Sequence, residues 1–236
     1  MRVMITRPRA DAEALAARLA ERRIETLIEP LLEIIAKPRQ ALDLENVQAL
    51  LLTSANGARA LARATGQRDL PVFTVGPATA AAAHAAGFAD VATADGDVAA
   101  LSRLIEERLD SAQGALLHIS GNAIAGDLAG RLKAAGFDAR RAVLYESRPA
   151  SVLSDAAVAA LSEARIDAVL LFSPRTAKSF VRLSRRASVA LGGVRALCLS
   201  RAVARQAEAI QWGEIAVAAR PDQDALLALI QTPPRE

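Results

Sequence analysis

Aromatic residues, cysteine and histidine are scarce in this sequence, and each shortage excludes a class of site. Aromatic residues make up 3% of the chain, too few for the stacking platform that binds single-stranded nucleic acid. The single cysteine, Cys198, cannot form an internal disulfide, and its apolar neighbours predict a buried structural thiol. The two histidines, His84 and His118, belong to no Cys/His cluster with metal-ligand spacing, so we expect no metal site.

The familiar cofactor and targeting motifs are missing as well. No G-x-G-x-x-G, P-loop or G-x-S-x-G segment occurs, which argues against nucleotide cofactors and serine-hydrolase chemistry, and we expect no cofactor. The N-terminal segment MRVMITRP lacks the apolar core of a signal peptide, and no stretch approaches the roughly 18 apolar residues that span a bilayer. The lack of a signal peptide and of a membrane-spanning stretch predicts a soluble cytoplasmic protein with no membrane partner.

Apolar residues, by contrast, are plentiful at 52%, and 236 residues are enough for two domains. The net charge of +3 comes from scattered arginines rather than from a dense basic run, so we expect no nucleic-acid partner. The small positive excess is explained equally by solubility or by attraction of an anionic ligand.

Short apolar runs alternate along the chain with amphipathic helical stretches, a rhythm typical of parallel sheets with crossover helices. The rhythm occurs twice at a nearly constant spacing, so the sequence predicts two copies of one α/β unit, each with a parallel sheet of about four or five strands. The matching segments are 49–62 with 168–181, 72–87 with 196–213, 90–105 with 214–230 and, more loosely, 3–19 with 116–132.

Small polar residues follow most of the predicted strands, where a helix is expected to begin. A Ser, Thr or Asn oxygen there caps a free backbone N–H, and Pro77 and Pro174 suit the first helical position. Gly87, Gly136 and Gly213 fit helix C-termini. The polar turns are Ser54–Gly57, Gly76–Thr79, Ser120–Asn122, Ser173–Thr176 and Ser200–Arg201.

These turns also have a collective interpretation. Ligands of open parallel sheets bind beyond the carboxyl ends of the strands, and free N–H groups at helix starts attract anions. Several such turns would suit a ligand that carries several carboxylates or phosphates. The residues alone leave capping and ligand binding both open at each turn.

The short motifs of the chain occur in a recognisable order. They are TRP at 6–8, TSANGARA at 53–60, VGPATA at 75–80, SGN at 120–122, LYES at 144–147, FSPRTAKSF at 172–180 and a strand-turn-helix at 197–207. In this order they resemble the uroporphyrinogen-III synthase family over essentially the whole chain. Each motif is short, and the order and spacing are more specific than any one of them.

For the fold, this resemblance implies two similar α/β domains with parallel sheets, flavodoxin-like or Rossmann-like, joined by two extended linkers. One domain would combine residues 1–34 with 149–236, and the inserted domain would span 38–145. The linkers would lie near Pro30–Pro38 and Val143–Pro149, two segments that look extended and end at proline.

For the activity, the resemblance implies a lyase of heme biosynthesis that needs no cofactor. It would cyclise hydroxymethylbilane, a linear tetrapyrrole with eight carboxylates, with loss of water and inversion of ring D to give uroporphyrinogen III. The chemistry is intrinsic to the substrate, so the protein's main task is to hold one conformation. The resemblance also implies a monomer, with a transient contact to the upstream hydroxymethylbilane synthase.

For the site, the resemblance implies that Tyr145, the only tyrosine, assists departure of the hydroxyl as the family's linker tyrosine is proposed to do. The alternative is a packed tyrosine with a solvated hydroxyl. Backbone N–H groups of the turns would bind most carboxylates, with Arg7 and Arg175 as charged partners. The substrate-binding residues expected on this basis are Arg7, Ser54, Asn56, Gly57, Gly76, Thr79, Ser120, Gly121, Asn122, Ser173, Arg175, Thr176, Ser200 and Arg201.

The last turn departs from the family pattern. Where the family reads I-G-x-x-T-A, this chain reads LSRAVA at 199–204, so Ser200 replaces the glycine and Val203 replaces the threonine. Ser200 or Arg201 could compensate for the lost hydroxyl. One alternative function is a non-catalytic two-lobed regulatory protein of the same fold that binds an anion or a tetrapyrrole. Another, a receiver-domain pair, would need a phosphorylatable Asp at a strand end, and these strand ends carry Ser, Thr and Gly.

Overall fold

The computed structural model describes residues 1–37, 42–94, 96–123 and 126–231, and its contacts divide the chain into two compact units. The discontinuous unit combines Met1–Glu33 with Arg148–Glu236, and the inserted unit is Ile34–Ser147. The resemblance implied a discontinuous domain of residues 1–34 and 149–236 and an inserted domain of residues 38–145. Residue 38 lies outside the described residues.

Strands and helices alternate along the described chain, as the apolar runs predict. The strands are β1 (Arg2–Ile5), β2 (Glu25–Ile28), β3 (Leu32–Ala36), β4 (Val47–Leu52), β5 (Val72–Thr74), β6 (Val91–Thr93), β7 (Ala115–Gly121), β8 (Ala139–Pro149), β9 (Ala168–Leu171), β10 (Leu191–Cys198) and β11 (Trp212–Val217). The α-helices are α1 (Arg9–Ala20), α2 (Ala55–Ala64), α3 (Pro77–Ala85), α4 (Val98–Arg108), α5 (Leu128–Ala134), α6 (Asp155–Ser162), α7 (Pro174–Arg186), α8 (Arg201–Ala207) and α9 (Gln223–Gln231).

The discontinuous unit is built on a five-stranded sheet in the order β11-β10-β9-β1-β2, with neighbouring strands parallel. Helices cover both faces, so each central strand is buried on both sides and reads as a continuous apolar run. Strand β1 shows the alternation, because Val3 and Ile5 pack into one core while Met4 packs into the other. Cys198 is fully buried in the second of these cores, and burial raises the pKa of its thiol to about 12. The expectation of a structural thiol is confirmed.

The inserted unit has a six-stranded sheet in the order β3-β8-β7-β4-β5-β6. The expectation of four or five strands is wrong for this unit, because the two segments expected to be linkers belong to its sheet. Strand β3 covers Leu32–Ala36 and pairs with β8, which runs from Ala139 to Pro149 beside β7. Both segments look like free extended chain because the sequence does not show which strand satisfies their backbone hydrogen bonds.

The four repeated segments of the sequence occupy equivalent places in the two sheets. Strands β11, β10, β9, β1 and β2 of one sheet correspond in order to β6, β5, β4, β7 and β8 of the other. The pairs 49–62 with 168–181 and 3–19 with 116–132, for example, become β4-α2 with β9-α7 and β1-α1 with β7-α5. The predicted duplication of one α/β unit is confirmed in each sheet's topology.

Two of the three glycines expected at helix ends are there. Gly87 follows α3 with φ of 93°, and Gly136 follows α5 with φ of 89°, a conformation that glycine adopts without steric cost. The third expectation is wrong, since Gly213 lies in β11. A Cβ there would stand 2.8 Å from the Gly192 carbonyl oxygen, so glycine permits close approach of β11 to β10.

Candidate functional site

A cavity of about 680 Å³ lies at the carboxyl ends of β4, β5 and β7 in the inserted unit. This is the edge where open parallel sheets bind their ligands. It brings together four of the residues expected from the sequence: Ser54, Ser120, Gly121 and Tyr145. The other described residues on its wall are Thr53, Val75, Gly96, Asp97, Val98, Ala99, Ala123, Gly126, Asp127 and Arg131.

Tyr145 lies on β8 with 7% of its surface exposed, and its hydroxyl is 2.9 Å from Oγ of Ser54. Ser54 is the N-cap of α2, and its Oγ also accepts a hydrogen bond from the Gly57 backbone N–H. The tyrosine ring packs on Gly121, where a Cβ would lie only 2.5 Å from Cε2. The phenol is therefore held on the cavity wall by packing and by a hydrogen bond, rather than standing in solvent.

The turn expected at Ser120–Asn122 does not begin a helix. Strand β7 continues through Gly121, and α5 starts at Leu128 with Asp127 as its N-cap. The chain stays extended because partners on β8 hold it. Arg141 donates from Nε to Oγ of Ser120 over 2.7 Å, and Oδ1 of Asn122 accepts from the Ser147 N–H.

Two carboxylates that the sequence analysis did not single out also line the cavity. Oδ1 of Asp97 accepts from the N–H groups of Ala99 and Ala100 at the start of α4, and these bonds hold the pKa of Asp97 below its usual value. Asp127 accepts from the Gly130 N–H in the same way at the start of α5. The N-termini of both helices are thus occupied by the protein's own carboxylates. An Asp just before an apolar helical stretch is the sequence signal for such caps.

A second pair missed by the sequence analysis is Thr53 and His118. Nε2 of His118 lies 3.1 Å from Oγ1 of Thr53, which is on the cavity wall. The ring is 4% exposed, and burial, with a smaller contribution from Arg141, lowers its pKa to about 4. His118 is therefore neutral at neutral pH. Its only sequence signal is a histidine inside an apolar strand.

The remaining expected residues of the inserted unit lie at the starts of α2 and α3, outside the described cavity wall. Gly76 is the N-cap of α3, Pro77 is its first residue as predicted, and Thr79 is buried in the first turn of that helix. Gly57 lets α2 approach β7, because a Cβ there would lie 3.2 Å from a carbonyl oxygen of that strand. Asn56 accepts from Nη2 of Arg59 through its Oδ1.

In the discontinuous unit, Ser173 caps α7 as predicted. Its Oγ accepts from the Thr176 N–H and lies 2.8 Å from Oγ1 of the same threonine. Pro174 is the first residue of this helix, and Arg175 is exposed on its first turn. Ser173 and Thr176 present two linked hydroxyls beyond the carboxyl end of β9.

Arg7 is committed to contacts inside the discontinuous unit. Its Nη1 donates to Oε1 of Gln223 over 2.8 Å, its Nη2 lies 3.6 Å from Asp11, and its guanidinium stacks 4.8 Å from the Phe172 ring centroid. These contacts fix the guanidinium at the end of β1. They also neutralise part of the charge that Arg7 was expected to offer a substrate.

The last turn lies beside a second cavity, of about 750 Å³, whose described wall includes Ser200, Arg201 and Arg195. Ser200 is the N-cap of α8, but its hydroxyl accepts from none of the described N–H groups of that helix. Val203 is 1% exposed and packs in the apolar core, at the helix position that Thr176 occupies in α7. The departure from the family pattern thus replaces a buried hydroxyl by a buried methyl group.

These observations agree with the comparison of the chain with known families. A family model described as uroporphyrinogen-III synthase HemD matches residues 13–228. The chain belongs to the uroporphyrinogen-III synthase family. This membership supports an enzyme of heme biosynthesis that acts on a tetrapyrrole, and it does not support the non-catalytic alternative.

Solved structures of the family have the same two-domain α/β fold. Uroporphyrinogen-III synthetase from Helicobacter pylori is 20% identical with a TM-score of 0.67, covering 98% of each chain. A substituted uroporphyrinogen III synthase from Thermus thermophilus is 17% identical with a TM-score of 0.56, covering 98% of this chain and 97% of the other. At these identities the likeness shows the fold. A comparison with curated protein sequences found no match.

Metal ligation and membrane insertion find no support in the part of the chain that the structure describes. Within residues 1–37, 42–94, 96–123 and 126–231, no group of three or more His, Cys, Asp and Glu side chains is placed to hold a metal ion. Among the same residues, no helix is long and apolar enough to cross a membrane.

Proposed function

We propose that this chain is a hydro-lyase that cyclises hydroxymethylbilane to uroporphyrinogen III, with loss of water and inversion of ring D. The observation that carries this proposal is the hydrogen bond of 2.9 Å between the Tyr145 phenol and Ser54 on the wall of the 680 Å³ cavity. A cavity of this volume lies in the range of about 300–1,000 Å³ that holds small organic ligands.

Tyr145 is proposed to assist departure of the substrate hydroxyl. A phenol O–H can donate a hydrogen bond to a leaving oxygen, which lowers the cost of breaking the C–O bond. Ser54 fixes the position of the phenol oxygen, and the close packing on Gly121 fixes the ring. The electron pair that expels the hydroxyl comes from the pyrrole nitrogen of the substrate, so the protein supplies a donor and a conformation.

The substrate carboxylates are proposed to bind at the polar turns. The N-termini of α2, α3 and α7 follow strand ends and present N–H groups beside Ser, Gly and Thr residues. The start of α3 is the most open of them, because its N-cap is Gly76, which has no side chain to occupy the N–H groups. Asp97 and Asp127 already fill the starts of α4 and α5, so we assign no carboxylate to those helices.

The charged partners proposed for the carboxylates are three arginines. Arg175 and Arg201 are exposed on the first turns of α7 and α8, and Arg7 also contacts Gln223 and Asp11. Exposed guanidinium groups bind carboxylates with two donors each. The full proposed set is Arg7, Ser54, Asn56, Gly57, Gly76, Thr79, Ser120, Gly121, Asn122, Ser173, Arg175, Thr176, Ser200 and Arg201, with Tyr145 as the catalytic residue.

The proposed setting is a cytoplasmic monomer that receives hydroxymethylbilane from hydroxymethylbilane synthase through a transient contact. Free hydroxymethylbilane closes without help to the uninverted isomer, so the substrate must be handed over before it does. Size-exclusion chromatography with light scattering, with and without the upstream enzyme, tests the monomeric state and the transient contact. A stable dimer would contradict the monomer.

The decisive assay supplies hydroxymethylbilane and separates the product isomers after oxidation to porphyrins. We expect the type III isomer to dominate with the native protein and the uninverted isomer to dominate with heat-denatured protein. A type III fraction equal to the background would exclude the proposed reaction. Dialysis against a metal chelator should leave the rate unchanged, because the proposed chemistry needs no metal.

A further inference from the structure

The hydrogen bond between His118 and Thr53 has no part in the mechanism described above. His118 lies on β7 with 4% of its surface exposed, and its Nε2 is 3.1 Å from Oγ1 of Thr53. Thr53 directly follows β4 and lines the 680 Å³ cavity. Its chain neighbour, Ser54, is the residue that bonds the Tyr145 phenol. The pair therefore places a second hydroxyl beside the first on the same wall.

The discontinuous unit shows what packing alone requires at these two places. Ile5 on β1 occupies the position that His118 occupies on β7, and Phe172 after β9 occupies that of Thr53 after β4. Ile5 and Phe172 pack in one apolar core. Two apolar side chains thus satisfy the fold at this point, and the polar pair of the inserted unit is not needed for packing.

An apolar pair would also avoid the cost of burying polar groups, which is recovered only when both are hydrogen-bonded. His118 is neutral, because burial and the nearby Arg141 lower its pKa to about 4. A neutral ring nitrogen either donates to the threonine hydroxyl or accepts from it. In both cases the hydroxyl of Thr53 keeps the capacity for a further hydrogen bond toward the cavity.

We infer that His118 is a positioning residue, which fixes the Thr53 hydroxyl on the cavity wall where that hydroxyl contacts the tetrapyrrole. This inference rests on the proposed function. A fixed hydroxyl loses no rotational freedom when the substrate binds, so orientation is what the histidine contributes. Thr53 is then a substrate contact beside Ser54, and His118 acts through it.

The test uses His118→Ile, Thr53→Val and the double variant. Thr53→Val leaves the buried His118 ring without its partner, so we expect a lower Tm for that variant. Each single change should lower kcat/KM for type III formation by about tenfold. The double variant leaves neither group unpaired and imitates the apolar pair of the other unit. We expect its Tm to return toward that of the wild type while kcat/KM stays low. His118→Gln, whose amide can reach the threonine, should recover part of kcat/KM.

Two results would overturn the positioning role. One is a double variant in which kcat/KM recovers together with Tm, and the other is His118→Ile with the kcat/KM of the wild type. His84→Gln is the matched control, because His84 is exposed on α3 with Nδ1 3.0 Å from the Phe88 carbonyl oxygen. It should keep both values. Absence of type III product from the wild type would instead exclude the proposed function itself, and with it this inference.

Discussion

The hydroxyl groups of Tyr145 and Ser54 lie 2.9 Å apart, although Tyr145 lies within β8 and Ser54 follows β4. The Ser54 hydroxyl therefore forms two hydrogen bonds, because it also accepts from the N–H of Gly57 at the start of α2. The phenol that we assign to catalysis is therefore tied to the first turn of a helix whose N–H groups we assign to substrate binding.

The first prediction concerns Tyr145→Phe. The ring and its packing on Gly121 remain, so we expect the free energy of unfolding to fall by no more than about 1 kcal/mol, the value of one hydrogen bond. The donor to the leaving hydroxyl is lost, so the rate of type III formation should fall by about tenfold or more. Initial rates and urea unfolding measure the two effects. An unchanged rate would remove Tyr145 from the site.

The second prediction concerns Gly121→Ala. A Cβ there would lie 2.5 Å from Cε2 of Tyr145, so the ring must move and lose its bond to Ser54. We expect a loss of about 1–3 kcal/mol in stability and a fall in rate similar to that of Tyr145→Phe. Gly66→Ala is the control, because no described atom lies within 4 Å of a Cβ at Gly66. If Gly121→Ala and Gly66→Ala had the same stability and the same rate, the close packing of Tyr145 on Gly121 would not matter for either.

The sequence predicts the sheets well because a strand buried on both faces must be apolar at every position. Leu50 and Leu51 on β4, for example, pack into opposite cores and read as one apolar run. Strand β8 was interpreted as a linker because its pairing with β3 and β7 cannot be read from its own residues. The extended course of Ser120 was missed for the same reason, since Arg141, which holds it, is 21 residues away.

In the candidate site, too, the sequence predicts contacts between residues close in the chain and misses contacts between distant ones. Ser54 and Ser173 were predicted as caps because their partners are local, three residues ahead. The contact of Tyr145 with Ser54 is not visible in the sequence, because the two residues are separated by 91 positions. His118 was missed because its burial, and with it its neutral state, depends on the packing of β7 between its neighbours.

The third prediction concerns pH. The pKa of His118 is lowered from 6.5 to about 4 in the folded state, so the unfolded chain binds more protons between these values. Stability from the neutral ring is complete above pH 6.5 and is lost as the pH falls toward 4, by about 3 kcal/mol in all. Urea unfolding of the wild type and His118→Gln at several pH values isolates this loss. If the free energy of unfolding depends on pH equally in the wild type and in His118→Gln, the loss does not come from His118.

The fourth prediction concerns Val203, the position where the family pattern has threonine. In α7 the corresponding Thr176 lies 2.8 Å from the Oγ of its N-cap serine, and Ser200 is placed to meet a threonine at 203 in the same way. Val203→Thr should therefore change the free energy of unfolding by less than about 1 kcal/mol. Val169→Thr, in a strand core with 0% exposure, should lose about 1–3 kcal/mol. If both variants lose the same free energy of unfolding, Ser200 does not form a hydrogen bond with the new threonine hydroxyl.

If this chain directs the closure of a linear tetrapyrrole, the isomer ratio of the product will change when the protein is present. Hydroxymethylbilane is incubated with the native protein, the products are oxidised to porphyrins, and types I and III are separated. We expect mainly type III with native protein and mainly type I without it. A product that stays type I at protein concentrations equal to that of the substrate would show that this protein does not direct the closure.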